Sequence, residues 1–148
     1  MKTLVFDMDG TIADFYGVDG WLDCLKKEDT RPYKEAKTLG NANQIAKYMN
    51  KLTRAGHSVN IISWCSKNGT QEFNAKVTKV KLNWLEKHFK SVKFGKILIV
   101  PYGTDKKECA GNGILFDDEE GNRTKWGAGA FNPSDIIPVM RHILKDDF

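Results

Sequence analysis

The stretch that most constrains this chain is residues 4–11, Leu-Val-Phe-Asp-Met-Asp-Gly-Thr. Its apolar start is typical of a buried strand, and Asp7 and Asp9 follow at a spacing that places both carboxylates on one face of that strand. Two ionised carboxylates about 5 Å apart repel each other by roughly 3 kcal/mol at an effective dielectric near 20. Because Mg²⁺ binds such carboxylates while keeping waters and phosphate oxygens, the stretch predicts a metal and phosphate site. An acidic turn after a strand is the alternative.

The hydrophobic pattern along the rest of the chain predicts strands alternating with helices. Strands are predicted at residues 4–6, 58–63, 97–100 and 114–116, with a fifth at 127–131. Helices are predicted at 18–28, 42–55 and 71–89, with a last one opening at Asn132-Pro133, and loops at 12–17, 29–40, 64–70, 101–111 and 119–123. This alternation means βαβ units. The expected fold class is α/β, a Rossmann-like three-layer sandwich around a mostly parallel sheet of about five strands.

Length and composition point to one soluble domain, residues 1–148. The net charge of +4 favours polyanionic partners only weakly. Three scattered cysteines, Cys24, Cys65 and Cys109, show neither a metal-binding spacing nor a disulfide framework, so reduced thiols are expected. No apolar run approaches the length of a membrane span and no signal peptide is recognisable, so the expected location is cytoplasmic, with no membrane partner.

The polar residues that carry chemistry follow the predicted strands. In parallel α/β sheets, ligands bind beyond the carboxyl ends of the strands, where the strand order reverses. The residues at these ends are Asp7 and Asp9 after the first strand, Ser63 and Trp64 at the second, Lys106 and Lys107 after the third, and Asp117 and Asp118 after the fourth. The hydroxyl of Ser63 and the amides that follow it are candidates for holding phosphate oxygens.

The segment Asp7-Met8-Asp9-Gly10-Thr11 resembles the first motif, D-x-D-G-T, of the haloacid dehalogenase-like hydrolases. Most members of that family are Mg²⁺-dependent phosphatases that pass through an aspartyl-phosphate. Ser63 matches the family's second motif and Asp117-Asp118 its fourth. The motifs occur in the family's order and together cover nearly the whole chain.

The resemblance implies a role for each matching residue. Asp7 is the expected nucleophile, and Asp9 the acid that protonates the leaving oxygen and then the base that activates water. Thr11 is expected to support the loop beside bound phosphate. The implied Mg²⁺ ligands are Asp7, Asp9 through its backbone carbonyl, Asp117 and Asp118, with Asp118 binding a metal-bound water or orienting Lys81.

A phosphoryl group in transfer also needs a fixed cation. Residues 81–89 resemble the third-motif segment of the deoxyribonucleotidase branch, in which the lysine three residues before the tryptophan binds phosphate. This selects Lys81, with Lys79, Lys106 and Lys107 as rival or auxiliary candidates. The alternative interpretation of each of these lysines is an ordinary solvent-exposed residue at the protein surface.

In the family that the chain resembles, insertions called caps provide most of the substrate specificity. Residues 12–40 leave room for only a reduced flap or cap, so two substrate classes remain open. Residues 9–15 are similar to the deoxyribonucleotidases, and Phe15 matches the position whose ring stacks on the base, so a nucleotide is the first expectation. The cap residues of that branch have no room here. The reduced cap, the basic balance and the segment around Ser63 and Trp84 also resemble polynucleotide phosphatases that act on 3′ ends. A binding module without catalysis is the third alternative.

Overall fold

The structure is a computed structural model that describes residues 1–146, and it consists of short strands alternating with helices. The strands are β1 (Thr3–Phe6), β2 (Ala13–Asp14), β3 (Lys37–Thr38), β4 (Ser58–Trp64), β5 (Ile97–Val100), β6 (Ile114–Phe116) and β7 (Ala130–Phe131). The helices are α1 (Trp21–Lys26), α2 (Arg31–Glu35), α3 (Ala42–Arg54), α4 (Gln71–His88), α5 (Lys106–Ala110), α6 (Glu120–Trp126) and α7 (Ile136–Asp146). In residues 1–146, no helix combines the length and the apolar character needed to cross a membrane.

Five strands form one parallel sheet in the order β5-β4-β1-β6-β7. The chain runs from β1 outward to β4 and β5, and then returns to the other side of β1 to add β6 and β7. The strand order therefore reverses at the carboxyl end of β1, which is where such sheets bind ligands. The α/β class and the mostly parallel five-stranded sheet are confirmed.

The core lies on both faces of this sheet, because successive residues of a strand point in opposite directions. Leu4 and Phe6 of β1 face α3 and α7, whereas Val5 faces Trp126 of α6. The helical residues in the cluster with Leu4 and Phe6 include Ile45, Met49 and Leu52 from α3, Trp84 and Leu85 from α4, and Ile136, Met140 and Ile143 from α7. Helices on both faces make the sandwich three layers thick.

Several predicted loops contain regular structure. Residues 29–40 include α2 and β3, 12–17 include β2, 101–111 include α5, and the charged stretch after Asp118 forms α6. The predicted last helix begins as a 3₁₀ turn, Pro133–Asp135, before α7. These elements are too short to show a hydrophobic period, so local hydrogen bonds decide them. In α5, for example, the Asp105 carboxylate accepts the N–H groups of Lys107 and Glu108 at 2.9 and 3.3 Å.

Residues 12–40 form a small layer beside the main sheet. β2 and β3 pair antiparallel, and α1 and α2 lie between them in the chain. Hydrogen bonds help hold this layer to α4 and its N-cap: Trp84 Nε1 donates to the Ala36 carbonyl at 2.8 Å, and the Glu28 carboxylate accepts the N–H and hydroxyl of Thr70 at 2.8 and 3.0 Å. Its role as a reduced cap stays a prediction.

The aromatic contact between β1 and β6 provides a test of the core. Phe6 and Phe116 are fully buried, and their ring centroids lie 4.8 Å apart. We expect Phe116→Ala to lower the free energy of unfolding by about 3–5 kcal/mol, because it removes a ring from a filled core. Urea unfolding measures this, with Leu82→Ala as the control because Leu82 is 41% exposed. A loss below about 1 kcal/mol would contradict the central position of Phe116.

Candidate active site

The site begins at a tight turn directly after β1. The Met8 carbonyl accepts hydrogen bonds from the N–H groups of residues 11–13 at 2.9–3.0 Å, which folds the chain back beside Asp7. Gly10 has a φ of 79°, and a Cβ built on it would lie 2.2 Å from a carboxylate oxygen of Asp118. Glycine is therefore required both by the backbone conformation and by the close approach of Asp118.

Three carboxylates converge beyond this turn. Asp7, Asp117 and Asp118 each offer one oxygen, and these oxygens all lie within 4.8 Å of one another. Asp7 is 6% exposed and Asp117 is fully buried. The Thr11 hydroxyl lies 3.3 Å from an oxygen of Asp7 and from one of Asp118. Opposite ligands of an octahedral Mg²⁺ are about 4.2 Å apart, so an oxygen cluster of this size fits a small divalent cation.

Lys106 is the cation closest to this cluster. Its Nζ donates to Asp7 Oδ1 at 3.0 Å and to Asp117 Oδ2 at 2.7 Å, and it lies 5.2 Å from the centre of the Trp64 ring. The residue is 5% exposed although it stands in a five-residue helix at the surface. The Asp105 cap sets the start of α5 and thereby directs Lys106, and not Lys107, into the site.

A second buried lysine lies at the other side of the turn. Lys81 Nζ donates to Asp9 Oδ2 at 2.8 Å, to Ser63 Oγ at 2.7 Å and to the Trp64 carbonyl at 2.7 Å. Lys81 is 1% exposed, and its Nζ lies 5.1 Å from the centre of the Tyr33 ring. The Asp9 carboxylate is thus paired with Lys81 and stands apart from the three-carboxylate cluster.

The charges of the site do not cancel. Four carboxylates face two ammonium groups, which leaves an excess of two negative charges when all six are ionised. Burial and the neighbouring Asp7 raise the pKa of Asp117 to about 6 and that of Asp118 to about 7, and burial raises the pKa of Asp9. Burial alone would lower the pKa of Lys106, but Asp7 and Asp117 raise it. A bound divalent cation would compensate the excess.

A cavity of about 530 Å³ opens above these groups. Its floor includes Asp7, Asp9, Lys106 and Asp118. Its walls are largely aromatic and come from residues 12–40 and from the loops after β4 and β5; the rings are Phe15, Tyr16, Trp21, Tyr33, Trp64 and Tyr102. The site therefore combines a charged floor with apolar sides.

The other residues selected from the sequence have varied positions. Phe15 lines the cavity but is only 3% exposed, packed against Tyr33 and Trp21. Trp64 donates from Nε1 to the Thr104 carbonyl at 2.9 Å and so holds the loop after β5. Ser63 is buried beneath the cavity and accepts from Lys81.

Two of the candidate lysines lie outside the site. Lys107 Nζ donates to the Trp126 carbonyl at 2.8 Å, at the end of α6. Lys79 is exposed on α4. The expected contact between Asp118 and Lys81 is also not formed, since the three acceptors of Lys81 come from other residues.

The sequence patterns missed several lining residues. Tyr16, Tyr33 and Tyr102 stand in segments that were predicted as loops, where aromatic residues carry no periodic signal. Asn122 was also missed; its Nδ2 donates to Asp117 Oδ2 at 3.1 Å. Asn122 lies five residues after Asp117, and this spacing becomes a signal only once α6 is known.

Fold and site together define a Rossmann-type α/β protein with clustered carboxylates at the carboxyl ends of its central strands. The chain is similar to the crystal structure of D,D-heptose 1,7-bisphosphate phosphatase from B. bronchiseptica complexed with magnesium and phosphate, with a TM-score of 0.59 and 14% identity over 99% of each chain. It is also similar to that phosphatase from Burkholderia thailandensis, with a TM-score of 0.60 and 14% identity over 97% of this chain and 99% of the other. A target protein from Vibrio cholerae gives a TM-score of 0.51 at 18% identity over the full length of both chains. Neither a protein-family model nor a curated protein sequence matches the chain.

The raised pKa values predict how the stability of the metal-free protein depends on pH. Asp117 and Asp118 hold their protons more tightly in the folded than in the unfolded chain, whose pKa is 3.8. Their protonation therefore favours the folded state below pH 4, and this contribution is lost as pH rises to about 7. In EDTA, we expect the thermal midpoint to fall by at least about 3 °C over this range, which is roughly 1 kcal/mol for a chain of this size.

The same melting experiment has two controls. Excess divalent cation should restore the midpoint at pH 7, since a cation at 100 times its Kd adds about 2.7 kcal/mol. Asp118→Asn should flatten the pH dependence because it removes one of the titrating groups. A midpoint that rises steadily from pH 4 to 7 in EDTA would show that the carboxylates are not destabilised by one another.

Proposed function

We propose that this protein is a Mg²⁺-dependent phosphatase that hydrolyses a phosphate monoester through an aspartyl-phosphate on Asp7. The observation that carries the proposal is the pairing of Asp7 with Lys106 beside Asp117 and Asp118, at the floor of an open cavity. A carboxylate held among a cation and two further carboxylates suits attack on phosphorus once a metal ion compensates the charge. The magnesium and phosphate bound by the B. bronchiseptica phosphatase support the same assignment.

The metal ligands in this proposal are Asp7, Asp117, Asp118 and the backbone carbonyl of Asp9. Hard carboxylate and carbonyl oxygens are the donors that Mg²⁺ prefers. The bound ion would lower the repulsion between the attacking carboxylate and the anionic phosphate. Glu119 N–H and Asn122 Nδ2 donate to Asp117 at 2.9 and 3.1 Å and hold its carboxylate in place.

In the first chemical step, a carboxylate oxygen of Asp7 attacks phosphorus in line with the ester oxygen. The new O–P bond forms as the P–O ester bond breaks, and the electron pair of that bond goes to the leaving oxygen. Asp9 gives its proton to this oxygen, so the alcohol leaves neutral. Lys106 stabilises the negative charge on the phosphoryl oxygens, the role for which the sequence also offered Lys81 and Lys107.

In the second step, water attacks the aspartyl-phosphate. Asp9, now a carboxylate, takes a proton from the water as its oxygen bonds to phosphorus, and the bond between Asp7 and phosphorus breaks. Asp7 is regenerated as a carboxylate and inorganic phosphate leaves. Asp9 thus alternates between acid and base, which requires a carboxyl group that reaches the cavity.

For the substrate, we propose a nucleotide or a related phosphate ester that carries a flat ring. The aromatic walls of the cavity support this class, since rings stack on bases with little dependence on base identity. Phe15, selected from the sequence for stacking, is nearly buried, so the more exposed rings of Tyr16 and Tyr102 are better placed to meet a base. The two heptose bisphosphate phosphatases make a sugar phosphate the first competitor.

A nucleic-acid 3′ end is the second candidate substrate. Lys26 and Lys67 line the cavity and would supply positive charge for a neighbouring phosphate of an oligonucleotide. Lys67 Nζ lies 5.8 Å from the centre of the Tyr102 ring, so charge and ring are adjacent there. A cytoplasmic location remains the expectation for either substrate.

The central prediction concerns Asp7. We expect the protein to hydrolyse an aryl phosphate only with Mg²⁺, and Asp7→Asn to reduce kcat by at least about 1,000-fold, because an amide cannot form the acyl phosphate. Steady-state rates with and without EDTA measure this, and acid-quenched wild-type enzyme should retain phosphate on Asp7. Retained turnover in Asp7→Asn would remove the nucleophile from the proposal, and Mg²⁺ binding without any turnover would favour a binding module.

Lys106 and Lys107 offer a matched pair for the same assay. Lys106→Met should lower kcat by about 100-fold or more, since it removes a cation from the phosphoryl group. Lys107→Met makes the same substitution one residue further along the chain, and its kcat should stay close to that of the wild type. Equal losses in the two variants would point to α5 as a whole, not to the Lys106 ammonium.

The substrate class is tested by comparing a mononucleotide, a sugar phosphate and a 3′-phosphorylated oligonucleotide. We expect the highest kcat/KM for the mononucleotide, and we expect Tyr16→Ala to raise its KM by roughly 5–150-fold, the equivalent of about 1–3 kcal/mol of stacking. Glycerol phosphate, which has no ring, is the control substrate and should not respond to this substitution.

The dependence of kcat/KM on salt concentration distinguishes a mononucleotide substrate from a nucleic-acid 3′ end. A mononucleotide releases few counterions, so its kcat/KM should change little between 50 and 200 mM salt, about a fourfold range. A steep decline confined to the oligonucleotide, together with a higher kcat/KM for it at low salt, would favour the 3′-end phosphatase. A sugar phosphate as the best substrate would exclude both.

A further inference from the structure

Lys81 occupies a position on α4 that the helix otherwise fills with apolar side chains. The buried residues on this face include Phe73, Val77 and Leu85, and Lys81 is four residues from each of the last two. Burying an ammonium group is unfavourable unless all of its charge and hydrogen bonds are compensated. Lys81 meets this condition with Asp9, Ser63 and Trp64, so the lysine is held in one orientation.

The hydrogen bonds of Lys81 leave none for a substrate. An ammonium group has three protons, and the three acceptors of Lys81 lie at 2.7–2.8 Å. Lys106 differs, because it donates to two carboxylates and lines the cavity, which leaves one proton for a phosphate oxygen. Lys81 is therefore built to hold protein groups in place.

The group that Lys81 holds on the cavity side is Asp9. Only Oδ2 of Asp9 is engaged by Lys81, and within residues 1–146 no protein group donates a hydrogen bond to Oδ1. The Asp9 side chain is 21% exposed and lines the cavity. Because Lys81 already donates a proton to Oδ2, a proton carried by the Asp9 carboxyl is placed on Oδ1, the oxygen left open.

The two β4 acceptors anchor this arrangement. The Ser63 hydroxyl and the Trp64 carbonyl belong to the carboxyl end of β4, next to β1 in the sheet. Lys81 thus connects the loop after β1 to a neighbouring strand of the rigid sheet. The Tyr33 ring, 5.1 Å from Nζ, closes the remaining side of the ammonium.

We propose that Lys81 is a positioning residue that directs the Oδ1 oxygen of Asp9 toward the leaving group and does not itself bind phosphate. This inference rests on the proposed phosphatase function. In the step concerned, the P–O ester bond breaks, its electron pair goes to the ester oxygen, and that oxygen takes the proton from Asp9 Oδ1. In the second step the same Oδ1 takes a proton from the attacking water.

The test uses two substrates that differ in their need for that proton. An aryl phosphate with an acidic phenol leaves without protonation, whereas an alkyl phosphate such as glycerol phosphate requires it. We expect Lys81→Met to lower kcat/KM about 100-fold for the alkyl phosphate and less than about 5-fold for the aryl phosphate, since general acid catalysis contributes at least 100-fold. KM for the aryl phosphate should not rise.

A second readout follows the covalent intermediate. In Lys81→Met, the hydrolysis of the aspartyl-phosphate should become slow, because the base is misplaced. Rapid mixing with the aryl phosphate should then show a burst of phenol followed by a slow steady state, and acid quenching should trap more phosphorylated protein than in the wild type. A role for Lys81 in folding alone would not produce this burst.

The control variants distinguish the loss of Asp9 positioning from a general loss of positive charge on α4 and from a loss of folding stability. Lys79→Met places the same side chain on the exposed face of α4 and should behave as wild type. Asp9→Asn should show the same preference for the aryl phosphate, and combining it with Lys81→Met should add little further loss, because both act through one group. Melting curves establish that each variant is folded, and Lys81→Gln serves if Lys81→Met is not.

Three results would overturn the inference. Equal losses of kcat/KM for both substrates, an increase confined to KM, or additive losses in the double variant would each show that Lys81 acts on folding or on phosphate and not through Asp9. An inactive wild type on both substrates would overturn the phosphatase function and this inference together. An active wild type with any of the three results would overturn only the role of Lys81.

Discussion

Four carboxylates lie close together at the carboxyl ends of the strands of one sheet, and the rest of the structure depends on how their mutual repulsion is compensated. Two unit charges 4 Å apart interact by about 1 kcal/mol in water and about 4 kcal/mol at an effective dielectric of 20, so burial makes each repulsion costly. Lys81 and Lys106 compensate half of the charge, each from a different helix and on a different side of β1. The uncompensated half destabilises the site, and the divalent cation of the proposed function would compensate it, so the proposed metal binding and the mutual repulsion of the carboxylates have the same cause.

The sequence predicted the parts of the fold that follow from burial on both sides of a sheet. β1, β4 and β6 are short, largely apolar runs with polar residues at or directly after their carboxyl ends, and a parallel sheet covered by helices requires such runs. The positions of Asp7, Ser63 and Asp117 follow directly, because each stands at the carboxyl end of one of these strands. β6 pairs with β1 on the side opposite to β4, and this brings the acidic residues after β1 and β6 together. Such a reversal of strand order is usual in parallel α/β sheets.

The positions of the strands in the sequence did not predict which lysines enter the site or what each of them contacts. Lys106 and Lys107 are adjacent, and only the start of α5 decides which one points inward. The signal was present in Asp105 and Glu108, an aspartate and a glutamate three residues apart that mark a helix start, but a five-residue helix has no hydrophobic period to support it. For Lys81 the signal was its spacing of four from Val77 and from Leu85, which puts a charged residue on the buried face of α4.

The two lysines divide the site into parts with different mechanical requirements. In the proposed mechanism, Asp7 must reach phosphorus and Asp9 must exchange a proton. The structure holds Asp7 through Lys106 of the short helix α5, whereas Lys81 ties Asp9 to the end of β4 in the sheet. The aromatic walls impose no such precision, and they come from short elements and loops, among them the layer formed by residues 12–40. Substitutions of the exposed rings of Tyr16 or Tyr102 would therefore alter the proposed substrate preference and leave the charge arrangement of the floor intact.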